Sequence, residues 1–443
     1  MAGGTFTAQN KIRPGAYVNF KAVQPMANLG GVRGIVTIPL ALPWGAEGQI
    51  ISVSSRDFAS GNSNGLIGLN VASADESAQK LRMALRNCPT ALVYRLDSGG
   101  TKAKMVVDGL EITALYTGER GNNINVVVTK TDELYTVETY ISNILSDTQT
   151  VADVDQLIKN ELVEFAAVSE LAMPASASVV LEGGSNGTVS ASDYIEYFAK
   201  VKGRTWNVMA LPTSKKAIIQ GAVMLVRDLR ENQGRKCQVV VSNYSDADYE
   251  GVISVSQGFT TEFEEVSPLA FTAYMAGLTA GSAVNVSNTH RVILGAVEIT
   301  NEKTHDEIIN SLKNGELVLS RRQDGAVIIE QDINTLTTFG GATNSAFRKN
   351  RVLRVLDDIA NTISERFMVS YLGRVDNNDS GRTVLKGDIV GYFNQLQAMG
   401  AITDFISDDV NVELGDSVDS VEVNVAVRPV DAMEKLYMTV SVN

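Results

Sequence analysis

Apolar and polar residues alternate strictly at one end of this chain. Over residues 436–443, Leu436, Met438, Val440 and Val442 fall on one face and Tyr437, Thr439, Ser441 and Asn443 on the other, the period of a β-strand. A second alternating run, Val421, Val423, Val425 and Val427, lies just upstream and stops at Arg428-Pro429. Near the other end, Tyr17-Val18-Asn19-Phe20 follows Pro14-Gly15 as a shorter counterpart. Chain ends are usually frayed and polar, so strand-forming ends must pair with a sheet edge, in the same molecule or in a neighbour.

Between the ends the periodicity changes several times. Residues 34–38 read as a buried strand that stops before Pro39 and the Pro43-Trp44-Gly45 turn. Residues 75–88 predict a helix capped by Asp75, with Ala78, Leu81, Leu85 and Cys88 at helical spacing, and 90–96 the next strand. From 97 to 182 short β-runs dominate (104–107, 124–129, 134–141), with one short helix near 153–160, which marks a β-rich insert. Residues 183–340 alternate strand and helix. The order strand 206–211, helix 214–231, strand 236–242 calls for a parallel pair with a right-handed crossover. The capping box Thr304-His305-Asp306-Glu307 starts a helix that Gly315 stops, and 316–322 with 326–331 predict a hairpin around Asp324-Gly325. Beyond 345 come two helices, the first with Val352, Leu356, Ile359, Ile363 and Phe367 on one face and the second near 384–399.

The expected class is therefore multidomain α/β. Its parts are an N-terminal arm (1–20), an α/β segment (21–96), a sandwich-like β-rich domain (97–182), an α/β domain (183–340), a C-terminal α/β domain (341–427) and a C-terminal arm (428–443). At 443 residues the chain exceeds one ordinary core, and 44% hydrophobic against 20% charged residues is the balance of a folded chain.

Charge narrows the partners. A net charge of −13 argues against a nucleic acid held through its phosphates. The charge is also uneven: residues 1–46 hold Lys11, Arg13, Lys21 and Arg33 and no acid, whereas 402–443 hold nine acids against Arg428 and Lys435. Opposite fields on the two strand-forming ends favour their meeting. Residues 266–290 lack any charge and include Gly277-x-x-x-Gly281, but the abundance of Ser, Thr, Asn, Ala and Gly predicts a closely packed core helix and no membrane insertion. No apolar leader follows Met1, so a secretory signal is not expected, and Cys88 and Cys237 read as buried free thiols.

Candidate chemistry is sparse. Nucleophilic catalysis of the Ser-His-Asp or Cys-His kind needs a histidine beside a nucleophile. Only His290 and His305 exist; His305 sits in the first turn of a capped helix and His290 follows Ser287-Asn288-Thr289 without a nucleophile elbow. No catalytic residue is assigned. Two loops, Asp246-x-Asp248-x-Glu250-Gly251 and Asp376-x-Asn378-x-Ser380-Gly381, match the first half of a calcium loop, yet Gln257 and Gly387 occupy the place of its bidentate glutamate, so turn-forming roles are expected. Zinc lacks its His and Cys clusters, and neither metal nor cofactor is expected. Gly183-Gly184-Ser185-Asn186-Gly187 has no following Lys-Ser/Thr pair and reads as a tight connection rather than a phosphate loop. Arg348, Lys349, Arg351 and Arg354 form the densest basic cluster. They read either as a solvated helix face with a local Arg354–Asp358 pair or as a face that docks on an acidic protein surface.

The order and spacing of several segments carry a family resemblance. They are 14–20 (Pro-Gly-Ala-Tyr-Val-Asn-Phe), 181–187 (Leu-Glu-Gly-Gly-Ser-Asn-Gly), Ala276-Gly277-Leu278 with Ser287-Asn288-Thr289, and 330–336 (Glu-Gln-Asp-Ile-Asn-Thr-Leu). The stretch from Arg351 through Leu356-Asp357-Asp358-Ile359 to Gly400-Ala401-Ile402 and the ending 428–437 complete the set. Over nearly its whole length the chain resembles the tail sheath proteins of contractile phage tails and phage-tail-like bacteriocins, particularly those of Gram-positive hosts.

The resemblance implies a β-sandwich-like domain and a subtilisin-like α/β core without the protease triad. It also implies terminal arms that add strands to neighbouring subunits, here Tyr17, Val18, Asn19 and Phe20 and Leu436, Met438, Val440 and Val442. Arg348, Lys349, Arg351 and Arg354 become candidates to face an acidic inner tube. The implied partners are other copies of the chain in a helical polymer, the inner tail tube, and baseplate and tail-terminator proteins. The implied place is a phage or bacteriocin particle, assembled in the bacterial cytoplasm and released by lysis. The implied action is contraction that drives the tube through a target envelope. A ring or baseplate component, and an α/β hydrolase, are the alternative functions.

Overall fold

The computed structural model of the chain describes residues 3–4, 16–17, 33–168, 174–340 and 343–442. At the N-terminal arm, Gly3–Gly4 pairs in parallel with Ala16–Tyr17; Val18, Asn19 and Phe20 lie outside the described residues.

A seven-stranded sheet forms the centre. Its order is Glu316–Leu317, Val252–Val255, Gln238–Ser242, Val208–Ala210, Ile35–Leu40, Thr90–Arg95 and Ile50–Ser54, parallel throughout except for the last pair. Strands from 35–95 and from 208–317 thus share one sheet, and the intervening β-rich stretch is an excursion from it. Alternation along the buried strands sorts side chains to two faces. Val36, Ile38, Leu40 and Val240 pack with helices Glu76–Leu85 and Pro268–Gly281. Val239 and Val241 join Tyr197, Ile219 and Val226 of helices Ala191–Lys202 and Lys216–Arg227 on the other.

Two boundaries differ from the sequence expectation. The first strand runs through Pro39 to Leu40. Ile35 and Asn207 show that odd-numbered backbone groups there point toward Val208–Ala210, whose ladder ends at Thr37, so the missing Pro39 N–H has no partner to lose. Glu316–Leu317 lies beside Val252–Val255, leaving the hairpin to Leu319–Arg321 and Val327–Ile329.

The uncharged stretch forms helix Pro268–Gly281, buried from Ala270 to Ala280. Its glycines allow backbone contact with the end of the neighbouring helix. A Cβ at Gly277 would stand 2.0 Å from the Ala84 carbonyl oxygen, and one at Gly281 1.8 Å from that of Asn87. No helix among the described residues is long and apolar enough to cross a membrane.

The β-rich insert has two sheets around one core. Strands Ile144–Val151, Leu134–Ile141, Ile124–Thr131 and Ser176–Val180 form one, and Val163–Ala167, Leu110–Thr117 and Lys102–Val107 the other. A single 3-10 turn, Val154–Gln156, replaces the short helix expected near 153–160. The glycine run is the exit from this insert: Thr101 bridges Ser185, and a Cβ on Gly187 would meet the Ser98 carbonyl at 1.9 Å.

The C-terminal part packs helices Asn350–Arg366 and Asp379–Ala398 with the hairpin Val410–Leu414/Val421–Val425. Asn378 caps the second helix by accepting from the Gly381 N–H, starting it earlier than the expected 384. The next residues, Arg428–Pro429, pair with Ile402–Thr403.

Candidate assembly surfaces

Side chains that sequence reading tested for chemistry have structural employment or lie apart. His290 and His305 are both exposed, His290 at a positive φ of 58°. In the first acidic loop, Asp248 Oδ1 accepts from the backbone N–H of Thr337 (2.6 Å) and Thr338 (2.9 Å) and from the Thr337 hydroxyl (3.0 Å). Burial would raise that carboxyl, but these bonds prevail and hold it down at about 2. It braces a turn. Cys88 and Cys237 are buried free thiols, and burial pushes the Cys237 thiol up to about 12.

The terminal segment is different in kind. Val430 still donates its N–H to the Ala401 carbonyl (2.9 Å). From Lys435 through Val442 every residue is exposed and none lies in a ladder, with Leu436 at 85% and Val442 at 91%. The alternating face thus stands in solvent, with no strand of its own chain to pair with among the described residues. The upstream hairpin is also incomplete: Val410–Leu414 and Val421–Val425 form a two-stranded sheet whose outer edges have no partner there. Its Val412, Val421, Val423 and Val425 pack inward on the C-terminal core.

One acidic side chain ties the root of the segment to the body. The half-buried Glu434 carboxylate accepts from the Thr289 hydroxyl (2.9 Å), from Gln331 Nε2 (2.6 Å) and from Lys349 Nζ. Burial pushes this carboxyl up, but the bonds from Lys349, Gln331 and Thr289 outweigh it and hold it below its ordinary value. Thr289 also receives the Asp332 N–H (3.0 Å). Asp332 in turn accepts from the Asn288 N–H (3.0 Å), Asn350 Nδ2 (2.9 Å) and Arg354 Nη2 (2.9 Å).

That hub redistributes the basic cluster. Arg354 is 2% exposed and also donates to the Val286 carbonyl (2.7 Å). It fastens the first C-terminal helix to the loops at 286–291 and 330–335 and cannot meet another protein from this position, so it is withdrawn as a tube-facing residue. The expected Arg354–Asp358 pair does not form: Asp358 accepts from the Tyr392 hydroxyl (2.6 Å), and burial raises its carboxyl. Lys349 is taken by Glu434. Arg348 and Arg351 are half-buried and form no ion pair among the described residues, and burial lowers the Arg348 guanidinium.

A further buried pair escaped sequence reading. Arg230 holds Asp357 through two bonds (2.7 and 2.9 Å) and reaches the Cys237 carbonyl (2.9 Å). Partners separated by over a hundred residues leave no spacing signal. For Glu434 the only hint was the lapse of alternation between Val427 and Leu436.

Comparison with known proteins places this geometry. Four family profiles tile the chain: tail sheath protein Gp18 domain III N-terminal region at 33–96, phage tail sheath protein beta-sandwich domain at 98–186, phage tail sheath protein central domain at 187–335, and phage tail sheath C-terminal domain at 342–443. The phage-like element PBSX protein XkdK of Bacillus subtilis (strain 168) is 33% identical over the whole of both chains. The crystal structure of a sheath tail protein from Desulfitobacterium hafniense matches with a TM-score of 0.80 and 36% identity, over 96% of this chain and 99% of that one. One from Listeria innocua matches with a TM-score of 0.82 and 33% identity, over 93% and 95%.

Proposed function

The chain belongs to the phage tail sheath protein family, and from that membership we propose that it polymerises around an inner tube by strand exchange and contracts to drive the tube through a target envelope. As a sheath subunit it is a structural component of a phage tail or phage-like particle, not an enzyme.

The observation that carries strand exchange is the exposed terminal segment: an alternating apolar face on a backbone with no ladder partner among the described residues. An added strand forms backbone hydrogen bonds worth on the order of 1 kcal/mol each, and its apolar face gains burial besides. Such a joint can keep subunits connected while their domain surfaces slide and rotate during contraction. The open hairpin Val410–Leu414/Val421–Val425 is a ready acceptor. The basic N-terminal arm, Tyr17 to Phe20 included, is the second donor.

The remaining parts take the roles the family suggests. The central sheet, with helices on both faces, is the subtilisin-like core; 97–182 is the sandwich domain, 341–427 the C-terminal domain, and 1–20 and 428–443 the arms. Contact with an acidic inner tube falls to Arg348 and Arg351, which form no ion pair among the described residues. Copies of the chain, the tube, the baseplate and the tail terminator are its partners, in a particle assembled in the bacterial cytoplasm and released by lysis.

Truncation tests the central point. Removing 436–443, beyond the last contact with the body, is expected to leave a folded monomer with an unchanged unfolding midpoint and to abolish the long hollow polymers expected of the full chain, with electron microscopy as the readout. Tubes from the truncated chain would refute strand donation by this arm. Discrete rings from the full chain would favour a ring or baseplate component.

A further inference from the structure

We propose that Glu434 is the positioning residue of the C-terminal arm, a latch that fixes where and in which direction the donated strand leaves the body. The proposal rests on the strand-donation reading and names the group that makes donation specific.

Three observations converge on it. First, the chain is held up to Val430, by the Arg428–Pro429 pairing and the bond to Ala401, and is exposed from Lys435 onward. Between and beyond these points, the bonds that reach 431–442 from elsewhere in the described chain all end on the Glu434 carboxylate. Second, its donors come from three separate places. Thr289 lies in the loop after helix Pro268–Gly281, Gln331 follows strand Val327–Ile329, and Lys349 precedes helix Asn350–Arg366. One carboxylate therefore registers the arm against both the central and the C-terminal parts. Third, Lys349 pairs with no other acid among the described residues, so the latch is its employment as well.

The side-chain type suits the task. A carboxylate offers acceptor positions only, and all three neighbours donate. An amide in its place keeps one acceptor oxygen and sets an NH2 group where the second oxygen stood, so the three donors share fewer acceptor positions and the ion pair with Lys349 is lost. An aspartate would fall one methylene short of donors fixed by separate elements. Without the latch, the chain length beyond the last fixed point is thirteen residues (431–443) instead of nine (435–443), and the strand samples many exit directions before meeting a neighbour's edge.

The experiment uses the full chain. Nitroxide labels at Asn310→Cys, on the exposed face of helix His305–Lys313, and at Tyr437→Cys report the arm's position as a distance distribution, the native cysteines being buried. In the Glu434→Gln and Lys349→Met variants the distribution is expected to broaden and polymer formation to slow about tenfold, with the fold intact and the unfolding midpoint lowered only slightly. The exchanged pair Glu434→Lys with Lys349→Glu is expected to narrow the distribution and recover assembly in part. A native distribution in Glu434→Gln overturns the proposal, and so does a broadened one with native assembly. The 436–443 truncation runs alongside. If it blocks assembly while Glu434→Gln assembles normally, the latch fails and strand donation stands. If the truncated chain still polymerises, strand donation fails, and with it any role for the latch in assembly.

Discussion

Helix Pro268–Gly281 and the segment 436–442 are both uncharged and both rich in apolar residues. One is buried from Ala270 to Ala280, whereas the other is exposed throughout. Hydrophobic content alone does not separate them; backbone hydrogen bonding does. The helix satisfies its own N–H and C=O groups, so it can be pressed against another backbone wherever glycine allows. The terminal segment has a period of two, and its groups are satisfied only by another strand or by water. An alternating apolar segment that stands exposed, outside any ladder among the described residues, is the feature on which the strand-donation proposal is built.

The strongest way to break the contrast is to treat the helix as if it had room. Gly281→Val drives a side chain into the Asn87 carbonyl, with backbone on both sides and no flexible group to yield. We expect a loss of about 3 kcal/mol or more in urea unfolding, the upper range for overpacking. A near-native midpoint would mean that the two helices can separate freely. The matched change in the arm, Leu436→Ser with Val440→Ser, should move the monomer by less than about 0.5 kcal/mol, as exposed sites do, while weakening polymer formation.

A middle-sized effect belongs to the hub that joins the two regions. Arg354→Ala takes the cation from buried Asp332, which keeps its bonds from the Asn288 N–H and Asn350 Nδ2, and should cost about 2–3 kcal/mol, while Arg354→Met with Asp332→Leu should recover part of it. Equal losses for the single and double variants would show that packing, not the ion pair, holds the C-terminal helix.

These cases also mark what the sequence could and could not disclose. The capped helix Glu76–Leu85, the parallel pair around Lys216–Arg227 and the capping box at Thr304 were legible because local spacing dictates them. The alternation of the terminal segment was legible, though not its lack of a ladder partner among the described residues. The seven-stranded sheet hid its unity because strands from 35–95 and 208–317 are separated by the insert. The basic run 348–354 looked like one surface, yet adjacent residues on a helix face different neighbours. Arg354 turns inward to Asp332, Lys349 to Glu434, and Arg348 and Arg351 form no ion pair among the described residues. Their fates depend on loops tens of residues away, which no window on the helix contains.

The smallest expected effect is a pH dependence at the arm's root. The folded Glu434 carboxyl lies below its ordinary 4.5, because bonds from Lys349, Gln331 and Thr289 favour the charged form over the effect of burial. A depressed carboxyl contributes stability that is complete above the unfolded value and is lost as pH falls through the folded one. The stability gap between the native chain and Glu434→Gln should therefore be flat from pH 7 to about 5 and should close only below about 4.5. Asp358 acts in the opposite sense: burial raises it, so protonation on acidification relieves a cost carried at neutral pH. Comparing each protein with its own variant cancels that second group, along with every other carboxylate the two chains share. A gap that stayed constant down to pH 3 would place the latch in packing rather than in the charge, and the arm's root would then hold as firmly in acid as at neutrality.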